Sequence, residues 1–427
     1  GLRQASRKRE QNYLLMGNTI HFDEECGRAN PFGAVMYMMT KPVGAACNMR
    51  CDYCYYLEKG AGVGRQLMSE ETLEEFVRQY IESQTVEEVL FTWHGGEAML
   101  RPLSFYEHVV ELQRRYGRGR KIANCIQTNG TLINERWCRF LRANGWLVGI
   151  SVDGPEDMHD EYRHMAGGGP THQTVMRGIR MMQRYGVEWN AMAVVNDFNV
   201  AYPEEFYDFF KKIGCRYLQF TPIVERRREN GAGRLASVTD ADSSDAVVTP
   251  ESVKAGQWGE FLCRLFDRWV REDVGRVFVQ LFDATLARWV GVQPGVCSMA
   301  AECGHAGIVD WNGDVYSCDH FVFPQHKLGN IHESTLIEMM TSTRQMDFGA
   351  AKRGSLPRQC LECRFTDICN GECPKNRFAV TASGEPGLNW LCEGYRRFFN
   401  HAAPAMEFMA GELRAGRAPA TVMEWMR

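Results

Sequence analysis

The chain has 427 residues, of which 44% are apolar and 24% are charged, and this composition is typical of a globular protein with a full hydrophobic core. Its net charge of −4 provides no basic surface for nucleic acid or an anionic membrane. No stretch reaches the roughly 18 apolar residues of a membrane span, and the basic segment 1–17 lacks the apolar core of a secretory signal. We therefore expect a cytoplasmic protein with neither a nucleic-acid nor a membrane partner.

The chain contains 16 cysteines, and most of them stand in groups at short spacings. Such groups predict disulfides in a small secreted chain, but a chain of this length has its own core. Grouped cysteines in a cytosolic protein indicate metal sites instead. Five further cysteines stand alone, mostly in apolar segments, and are expected to be small buried hydrophobes: Cys26, Cys125, Cys138, Cys215 and Cys263.

Residues 1–32 are polar and irregular, and we interpret them as an N-terminal extension. From residue 33, short β-branched segments alternate with amphipathic segments that are long enough for helices. Segment 69–84, for example, opens with Ser69 and places its apolar residues on one helical face. Strands that alternate with helices predict βαβ units and a parallel sheet. The predicted strands are 34–40, 88–94, 124–129, 147–153, 189–195 and 217–224.

Six such units are too many for a small doubly wound domain and fewer than the eight of a complete barrel. In parallel α/β folds the chemistry lies at the C-terminal ends of the strands. Each distinctive polar motif follows a predicted strand: a three-cysteine motif, then GGE, QTNG and SVDGP. We therefore assign residues 33–245 to a catalytic α/β domain.

The rest of the chain has a different composition. Residues 246–295 are predicted to form a helical linker, which includes the amphipathic segment 260–273. After Val296, cysteines and glycines replace the long periodic segments. This change predicts a second, smaller domain over 296–400 that is held together by something other than a core, followed by a C-terminal helix over 401–427.

The first cysteine motif, C-x3-C-x2-C, directly follows the first predicted strand and contains Cys47, Cys51 and Cys54. Three thiolates at this spacing bind three irons of a four-iron cube and leave the fourth iron without a protein ligand. An open iron is a Lewis acid that holds a small molecule. Two alternatives remain from the spacing alone: three buried thiols on a helical face, or a zinc site with a fourth ligand from elsewhere.

The motif resembles that of the radical S-adenosylmethionine (SAM) superfamily, in which an aromatic residue, here Tyr53, precedes the last cysteine. By this resemblance Tyr53 belongs to the SAM site. Gly95, Gly96 and Glu97 look like the superfamily motif that holds the SAM amino group. Ala98 departs from the proline that often follows this motif.

The same resemblance implies three further SAM contacts. Ser151 and Arg163 would meet the SAM carboxylate and ribose, and Val224 would lie near the adenine. Without the resemblance, a turn serine before Gly-Pro would be an equally good interpretation of Ser151, and a solvated helical arginine would be an equally good one of Arg163.

Eight more cysteines follow Val296 with the pattern C-x5-C-x14-C, then C-x2-C-x5-C-x3-C, then one cysteine 19 positions later. They could form four disulfides, two zinc sites or two fully ligated four-iron clusters. The cytosolic interpretation argues against disulfides. Spacing alone does not separate zinc from iron–sulfur.

This pattern resembles the SPASM domain, a cysteine-rich extension of radical SAM enzymes that act on peptides. In that domain the cluster ligands interleave along the chain. The resemblance implies a first auxiliary cluster on Cys297, Cys303, Cys318 and Cys373. It implies a second auxiliary cluster on Cys360, Cys363, Cys369 and Cys392. With the first motif, the chain would hold three [4Fe-4S] clusters.

The resemblance narrows to the anaerobic sulfatase-maturating enzymes and extends from residue 35 to 410. It rests on KPVGAACNMRCDYCYYLEK, FTWHGGE, NGDVYSCDHFV and CNGECPKNRF. The implied fold is α/β, a partial (β/α)6 TIM-like barrel of the radical SAM type with a cysteine-rich C-terminal SPASM domain. The implied activity is oxidation of an active-site Cys or Ser of a sulfatase to Cα-formylglycine without oxygen.

The same family implies that Asp319, which follows Cys318, is the proton acceptor, whereas outside the family it would be read as a turn aspartate. We expect its pKa to lie near the working pH, as a general base requires. The 5′-deoxyadenosyl radical from SAM would take a hydrogen from the substrate Cβ, and an auxiliary cluster would accept the second electron. The implied partners are a sulfatase with a Cys/Ser-x-Pro/Ala-x-Arg motif and a small ferredoxin or flavodoxin.

Two other functions remain open at this point. A different SPASM peptide-modifying enzyme, such as a thioether-forming maturase, often has an N-terminal peptide-recognition domain of roughly 80 residues, and we expect residues 1–32 to be too short for one. A zinc-stapled binding module with an inactive barrel is the alternative from another class. Iron and sulfide, rather than zinc, would discriminate against it.

Overall fold

The computed structural model describes residues 36–60, 66–228 and 246–427. The extension predicted over 1–32, together with Cys26, lies outside the described residues. No helix within those three ranges is long and apolar enough to cross a membrane.

Six parallel strands form the centre of the molecule and pair in sequence order, β1 to β6. The strands are β1 (Tyr37–Lys41), β2 (Glu88–Trp93), β3 (Lys121–Thr128), β4 (Leu147–Ser151), β5 (Glu188–Val195) and β6 (Tyr217–Pro222). The helices that connect them are α1 (Glu70–Ser83), α2 (Leu103–Tyr116), α3 (Glu135–Ala143), α4 (Glu156–Asp160), α5 (His172–Tyr185) and α6 (Pro203–Lys212). The predicted α/β fold with six parallel strands is confirmed.

Helix α1 shows how the local sequence directs this layout. The Ser69 hydroxyl accepts a hydrogen bond from the Thr72 amide at 3.0 Å and so satisfies one of the free amides of the first turn. Its apolar face packs on β2, where the Phe76 ring meets Phe91 edge-on at 5.8 Å. The Tyr80 hydroxyl donates to the Leu90 carbonyl at 3.0 Å.

The sheet is longer than the sequence predicted, because further strands extend both of its edges. β7 (Arg226–Arg228) and β8 (Ala246–Val248) form a separate antiparallel pair, and β9 (Phe278–Val279) pairs in parallel with β6. β10 (Ala306–Asp310) pairs in parallel with β1 over five residues, and β11 (Asp314–Tyr316) and β12 (Lys327–Asn330) follow it as antiparallel strands. β13 (Ala379–Val380) and β14 (Pro386–Leu388) form a small antiparallel pair.

The cysteine-rich region shares the core of the barrel, which differs from the prediction that it lacks a core. Val309, Val315, Leu336 and Leu391 are buried in the same apolar cluster as the barrel residues. The physical reason is that β10 continues the barrel sheet, so apolar side chains that lack any long sequence period still bury against barrel helices.

The remaining helices lie in the second half of the chain. They are α7 (Ala255–Glu272), α8 (Gln280–Val290), α9 (Leu336–Met340), α10 (Thr343–Gly354), α11 (Arg358–Leu361), α12 (Thr366–Cys369), α13 (Cys392–Arg414) and α14 (Val422–Trp425). The prediction of one C-terminal helix over 401–427 is wrong at both ends. Helix α13 begins at Cys392, since its buried face includes Tyr395 and Phe398, and Gly416 follows its end with a φ of +71°.

Helices α13 and α7 pack closely at Gly394, and this contact yields a stability prediction. A Cβ at Gly394 would lie 2.3 Å from the Ala255 carbonyl oxygen, so Gly394→Ala must push two backbones apart. We expect the free energy of unfolding to fall by about 1–3 kcal/mol. The control is Gly411→Ala in the same helix, where a Cβ meets nothing within 4 Å and propensity favours alanine. Equal effects of the two substitutions on anaerobic urea unfolding would contradict the packing argument.

Candidate active site

The loop that follows β1 carries the first cysteine motif and is bound to the segment that follows β4. The Arg50 amide donates to the His164 carbonyl at 2.8 Å, and the Asp52 amide donates to the Tyr162 carbonyl at 3.0 Å. These backbone bonds hold the motif above the carboxyl ends of the strands, where chemistry in parallel α/β folds is located.

The three thiols of this motif are partly buried on one loop. Burial, with a smaller contribution from the neighbouring Cys54 thiol, raises the pKa of Cys47 to about 11 and that of Cys51 to about 12. Within the described ranges, no three His, Cys, Asp or Glu side chains form a group that could hold one metal ion. A four-iron cube does not need such a group, because each of its thiolates binds a different iron. Three neighbouring thiols on one loop therefore fit a cube.

The GGE motif lies directly against this loop. The Gly96 amide donates to the Gly44 carbonyl and the Glu97 amide to the Ala46 carbonyl, each at 2.8 Å. A Cβ at Gly96 would lie 2.1 Å from the Ala46 carbonyl oxygen. Only glycine permits this approach, so the motif has a packing role beside its predicted role in SAM binding.

The Glu97 carboxylate joins the end of β2 to the end of β3. It is buried and accepts hydrogen bonds from the Met99 amide and the Thr128 hydroxyl, each at 2.8 Å, and from the Asn129 amide at 2.7 Å. Burial raises its pKa, and these bonds oppose the rise. Since a carboxylate has about four acceptor positions, these three bonds occupy most of its capacity.

Tyr53 and Arg163, both predicted to belong to the SAM site, meet at one buried carboxylate. Asp153 forms an ion pair with Arg163 at 2.6 Å and accepts a hydrogen bond from the Tyr53 hydroxyl at 2.6 Å. It also accepts from the Val194 amide at 2.8 Å. Arg163 is thus buried and paired, not solvated. The SVDGP motif alone predicts no role for Asp153, although a charge directly after an apolar strand is the signal that marks it.

The other two predicted SAM residues also lie where strands end. Ser151 is the last residue of β4, and its hydroxyl accepts from the Gln127 side-chain amide at 2.9 Å. Val224 is buried two residues beyond β6, and its carbonyl accepts from the Lys375 ammonium at 2.8 Å. Every predicted SAM residue is therefore at the carboxyl edge of the barrel.

Asp319 reaches the same edge from the other side of β1. Its carboxylate lies 2.6 Å from the Lys41 ammonium and accepts from the Tyr55 hydroxyl at 2.6 Å. Lys41 is the last residue of β1 and is fully buried, with its ammonium 3.8 Å from the centre of the Tyr56 ring. Lys41 was not predicted to belong to the site, although a lysine at the end of an apolar strand is a signal for a buried, paired charge.

The expectation that the pKa of Asp319 lies near the working pH is wrong. Burial by itself raises this pKa, but the Lys41 ammonium and the imidazoles of His94 and His320 hold it well below its ordinary value. A carboxyl group with a buried lysine as counter-ion stays ionised at working pH. It is therefore available to accept a proton but has a lower affinity for it than we expected.

The structure brings the eight later cysteines together in two groups of four. In the first set, burial raises the pKa of Cys318 well above its ordinary value, and its neighbours Cys297, Cys373 and Cys303 raise it further. In the second set, all four thiols line one cavity of about 400 Å³: Cys360, Cys363, Cys369 and Cys392. All fifteen cysteines that the structure describes are free thiols.

The lone cysteines are mostly buried, as predicted. Cys138, Cys215 and Cys263 are buried and Cys125 is partly buried. The first three belong to the apolar core, and none of the four belongs to a predicted ligand set.

Comparison with known proteins assigns the family. A model of the radical SAM superfamily matches residues 42–210, and a model of the SPASM iron–sulfur cluster-binding domain matches residues 301–364. The chain is 58% identical to the serine-type anaerobic sulfatase-maturating enzyme of Bacteroides thetaiotaomicron, over 93% of this chain and 96% of that protein. This chain belongs to the anaerobic sulfatase-maturating enzymes.

Two more distant members agree. The cysteine-type anaerobic sulfatase-maturating enzyme of Clostridium perfringens is 30% identical over 88% of this chain and 99% of that protein. The solved structure of native anSMEcpe with bound AdoMet and Cp18Cys peptide matches with a TM-score of 0.77 at 30% identity, covering 88% of this chain and 99% of that one. The predictions of a radical SAM enzyme with a SPASM domain and of sulfatase maturation are confirmed.

The Asp153–Arg163 pair predicts a large effect of a small substitution in this sulfatase-maturating enzyme. Asp153→Asn leaves a buried guanidinium without its counter-charge, and we expect the free energy of unfolding to fall by about 3–5 kcal/mol. The control is Asp208→Asn, which breaks a partly exposed pair with Arg268 and should cost at most about 1 kcal/mol. Anaerobic chemical denaturation measures both. Equal losses would show that the buried pair has no special role.

Proposed function

We propose that this chain is a serine-type sulfatase-maturating enzyme, which oxidises an active-site serine of a sulfatase to formylglycine. The support is the difference in identity, 58% to a serine-type relative against 30% to a cysteine-type one, over nearly the same part of the chain. The substrate is a sulfatase segment with the Ser-x-Pro/Ala-x-Arg motif. The related anSMEcpe was solved with a bound peptide, which supports a peptide segment as substrate.

We also propose three [4Fe-4S] clusters, since the thiols group in space into three sets. Cys47, Cys51 and Cys54 would hold the SAM cluster, and the two later sets would hold the auxiliary clusters. SAM on a reduced cluster supplies the carbon radical that begins the reaction. In this proposal residues 33–245 form the SAM barrel and 296–400 the auxiliary-cluster domain, with β10 joining the two through the shared sheet.

The SAM contacts are proposed for the residues at the carboxyl edge. The backbone of Gly95 and Gly96 and the remaining acceptor position of Glu97 would receive the SAM amino group. Ser151 and Val224 would contact the carboxylate and the adenine. Tyr53 and Arg163 would contact the ribose side, in an orientation that Asp153 maintains by binding both.

Asp319 is the proposed acceptor for the proton of the substrate hydroxyl. Lys41 keeps Asp319 ionised and Tyr55 orients it through the bond to its second oxygen. Loss of a hydrogen atom from the substrate Cβ makes the adjacent hydroxyl a stronger acid. An auxiliary cluster would accept the electron that the resulting carbon radical must lose to become the aldehyde. A small ferredoxin or flavodoxin is the proposed electron donor, because the first cluster must be reduced once per turnover.

The first test joins metal content to product. We expect about twelve irons per chain after anaerobic reconstitution, as three four-iron cubes require. With SAM and dithionite, a Ser-x-Pro-x-Arg peptide should lose about 2 Da faster than the matched Cys peptide loses about 18 Da. About four irons per chain would contradict the three-cluster proposal. Faster conversion of the Cys peptide would contradict the serine-type proposal, and SAM cleavage without any peptide change would indicate another peptide-modifying reaction.

The second test separates proton acceptance from SAM cleavage. Asp319→Asn should lower formylglycine formation by about 100-fold or more while 5′-deoxyadenosine still accumulates. Lys41→Met should also lower the ratio of formylglycine to 5′-deoxyadenosine. Without the Lys41 ammonium, burial raises the pKa of Asp319, and a protonated Asp319 cannot accept the substrate proton. Lys121→Met removes an exposed ion pair with Glu88 and serves as the control. Normal aldehyde yield in Asp319→Asn would show that another group accepts the proton.

A further inference from the structure

The short loop between Cys369 and Cys373 joins the two auxiliary ligand sets, because Cys369 belongs to the second set and Cys373 to the first. All three residues between them have a positive φ: Asn370 at 49°, Gly371 at 68° and Glu372 at 58°. A left-handed conformation is unfavourable for a residue with a side chain. Such a loop persists only where its surroundings stabilise it.

A single buried arginine supplies that stabilisation. Arg377 donates to the Asn370 carbonyl at 2.5 Å, to the Gly371 carbonyl at 2.8 Å and to the Glu372 carbonyl at 3.1 Å. A fourth bond, at 2.5 Å, reaches the Lys352 carbonyl on α10. A Cβ at Gly371 would lie 2.6 Å from a guanidinium nitrogen, so glycine is what permits this approach.

The guanidinium also lies among thiols of both sets. The four acceptors that the structure gives it are backbone carbonyls, and its side chain is buried. The ionisable groups that interact with its charge are Cys303 of the first set, Cys360 and Cys369 of the second, and the Glu372 carboxylate. When both sets hold clusters, Arg377 is therefore a buried cation close to two anionic groups.

Lys352 provides a contrast, because its charge lies beside one set. Its ammonium is buried and donates to the carbonyls of Cys297 and Ser298, each at 2.7 Å. Cys297 belongs to the first set. Lys352 thus serves as an internal reference for a cation that faces one cluster rather than two.

We propose that Arg377 is a positioning residue shared by the two auxiliary clusters: it holds the loop that joins their ligands, and its charge favours the reduced state of both. This inference rests on the proposed presence of three clusters. A reduced cluster carries one more negative charge than an oxidised one, and a buried cation stabilises that charge more than water-exposed cations do. Groups around a cluster set its potential in this way.

The test uses the reconstituted full-length holoenzyme and measures reduction potentials by potentiometric titration with EPR detection. Signals are assigned with Cys303→Ala and Cys363→Ala, each of which removes a ligand of one set. We expect Arg377→Gln to lower the reduction potentials of both auxiliary clusters by about 59 mV. For one electron this corresponds to an equilibrium constant for reduction that is about tenfold smaller. Lys352→Gln should lower only the first. The control is Arg344→Gln, because Arg344 is exposed and also donates to backbone carbonyls, those of Lys327 and Gln325.

Arg377→Lys separates charge from hydrogen bonding. It retains the charge but not the planar set of donors, so we expect potentials near those of the unchanged protein together with a faster loss of iron to a chelator. Unshifted potentials in a fully loaded Arg377→Gln protein, or a shift of one cluster only, would overturn the shared role. If the Arg377→Gln protein fails to take up its clusters, Arg377→Lys provides the test. If the auxiliary reduction potentials of Arg377→Lys fall as far as the first-cluster potential falls in Lys352→Gln, the shared role of Arg377 is overturned as well. A deficit of iron in the unchanged protein would instead reject the three-cluster proposal.

Discussion

The parallel pairing of β10 with β1 is the constraint on which the site depends. It runs from Tyr37 opposite Ala306 to Lys41 opposite Asp310, so the cysteine-rich region continues the barrel sheet. The turn that carries Cys318 and Asp319 consequently lies beside the end of β1, where the loop with Cys47 begins. The proposed proton acceptor and the proposed radical-generating site, separated by more than 250 residues in sequence, thereby share one edge of one sheet.

Buried charges hold the loops of this edge in place. Asp153 pairs with Arg163 beside the first cysteine loop. Lys41, at the end of β1, pairs with Asp319, which follows β11. Lys375 pairs with Glu225, which follows β6. Burying an unpaired charge is expensive, so each pair forms only when both of its loops are correctly placed. Arg377 differs, because its acceptors are carbonyls and its charge faces thiols. We propose that the clusters, together with the neighbouring Glu372 carboxylate, supply its counter-charge.

Patterns that are local in the sequence were predictable. The six strands, the cap at Ser69 and the spacing of Cys47 relative to the first strand follow from hydrophobic period and short-range motifs, and the structure agrees. The single core shared with the cysteine-rich region and the start of α13 at Cys392 were not predictable, because both depend on contacts between distant elements. The family resemblance supplied the interleaved cysteine sets, which spacing alone left open.

The sequence by itself determined the fold class, the cysteine motifs and the family, because each is carried by residues close together in the chain or by their similarity to known motifs. Only the tertiary structure decided the state of the charged groups. The pKa of Asp319 was expected to lie near the working pH, but Lys41 holds its carboxylate ionised. Arg163 was expected to contact SAM, and in the structure it also forms an ion pair with Asp153. The free energy of a charge depends on burial and on the nearest opposite charge, and both are properties of the folded chain.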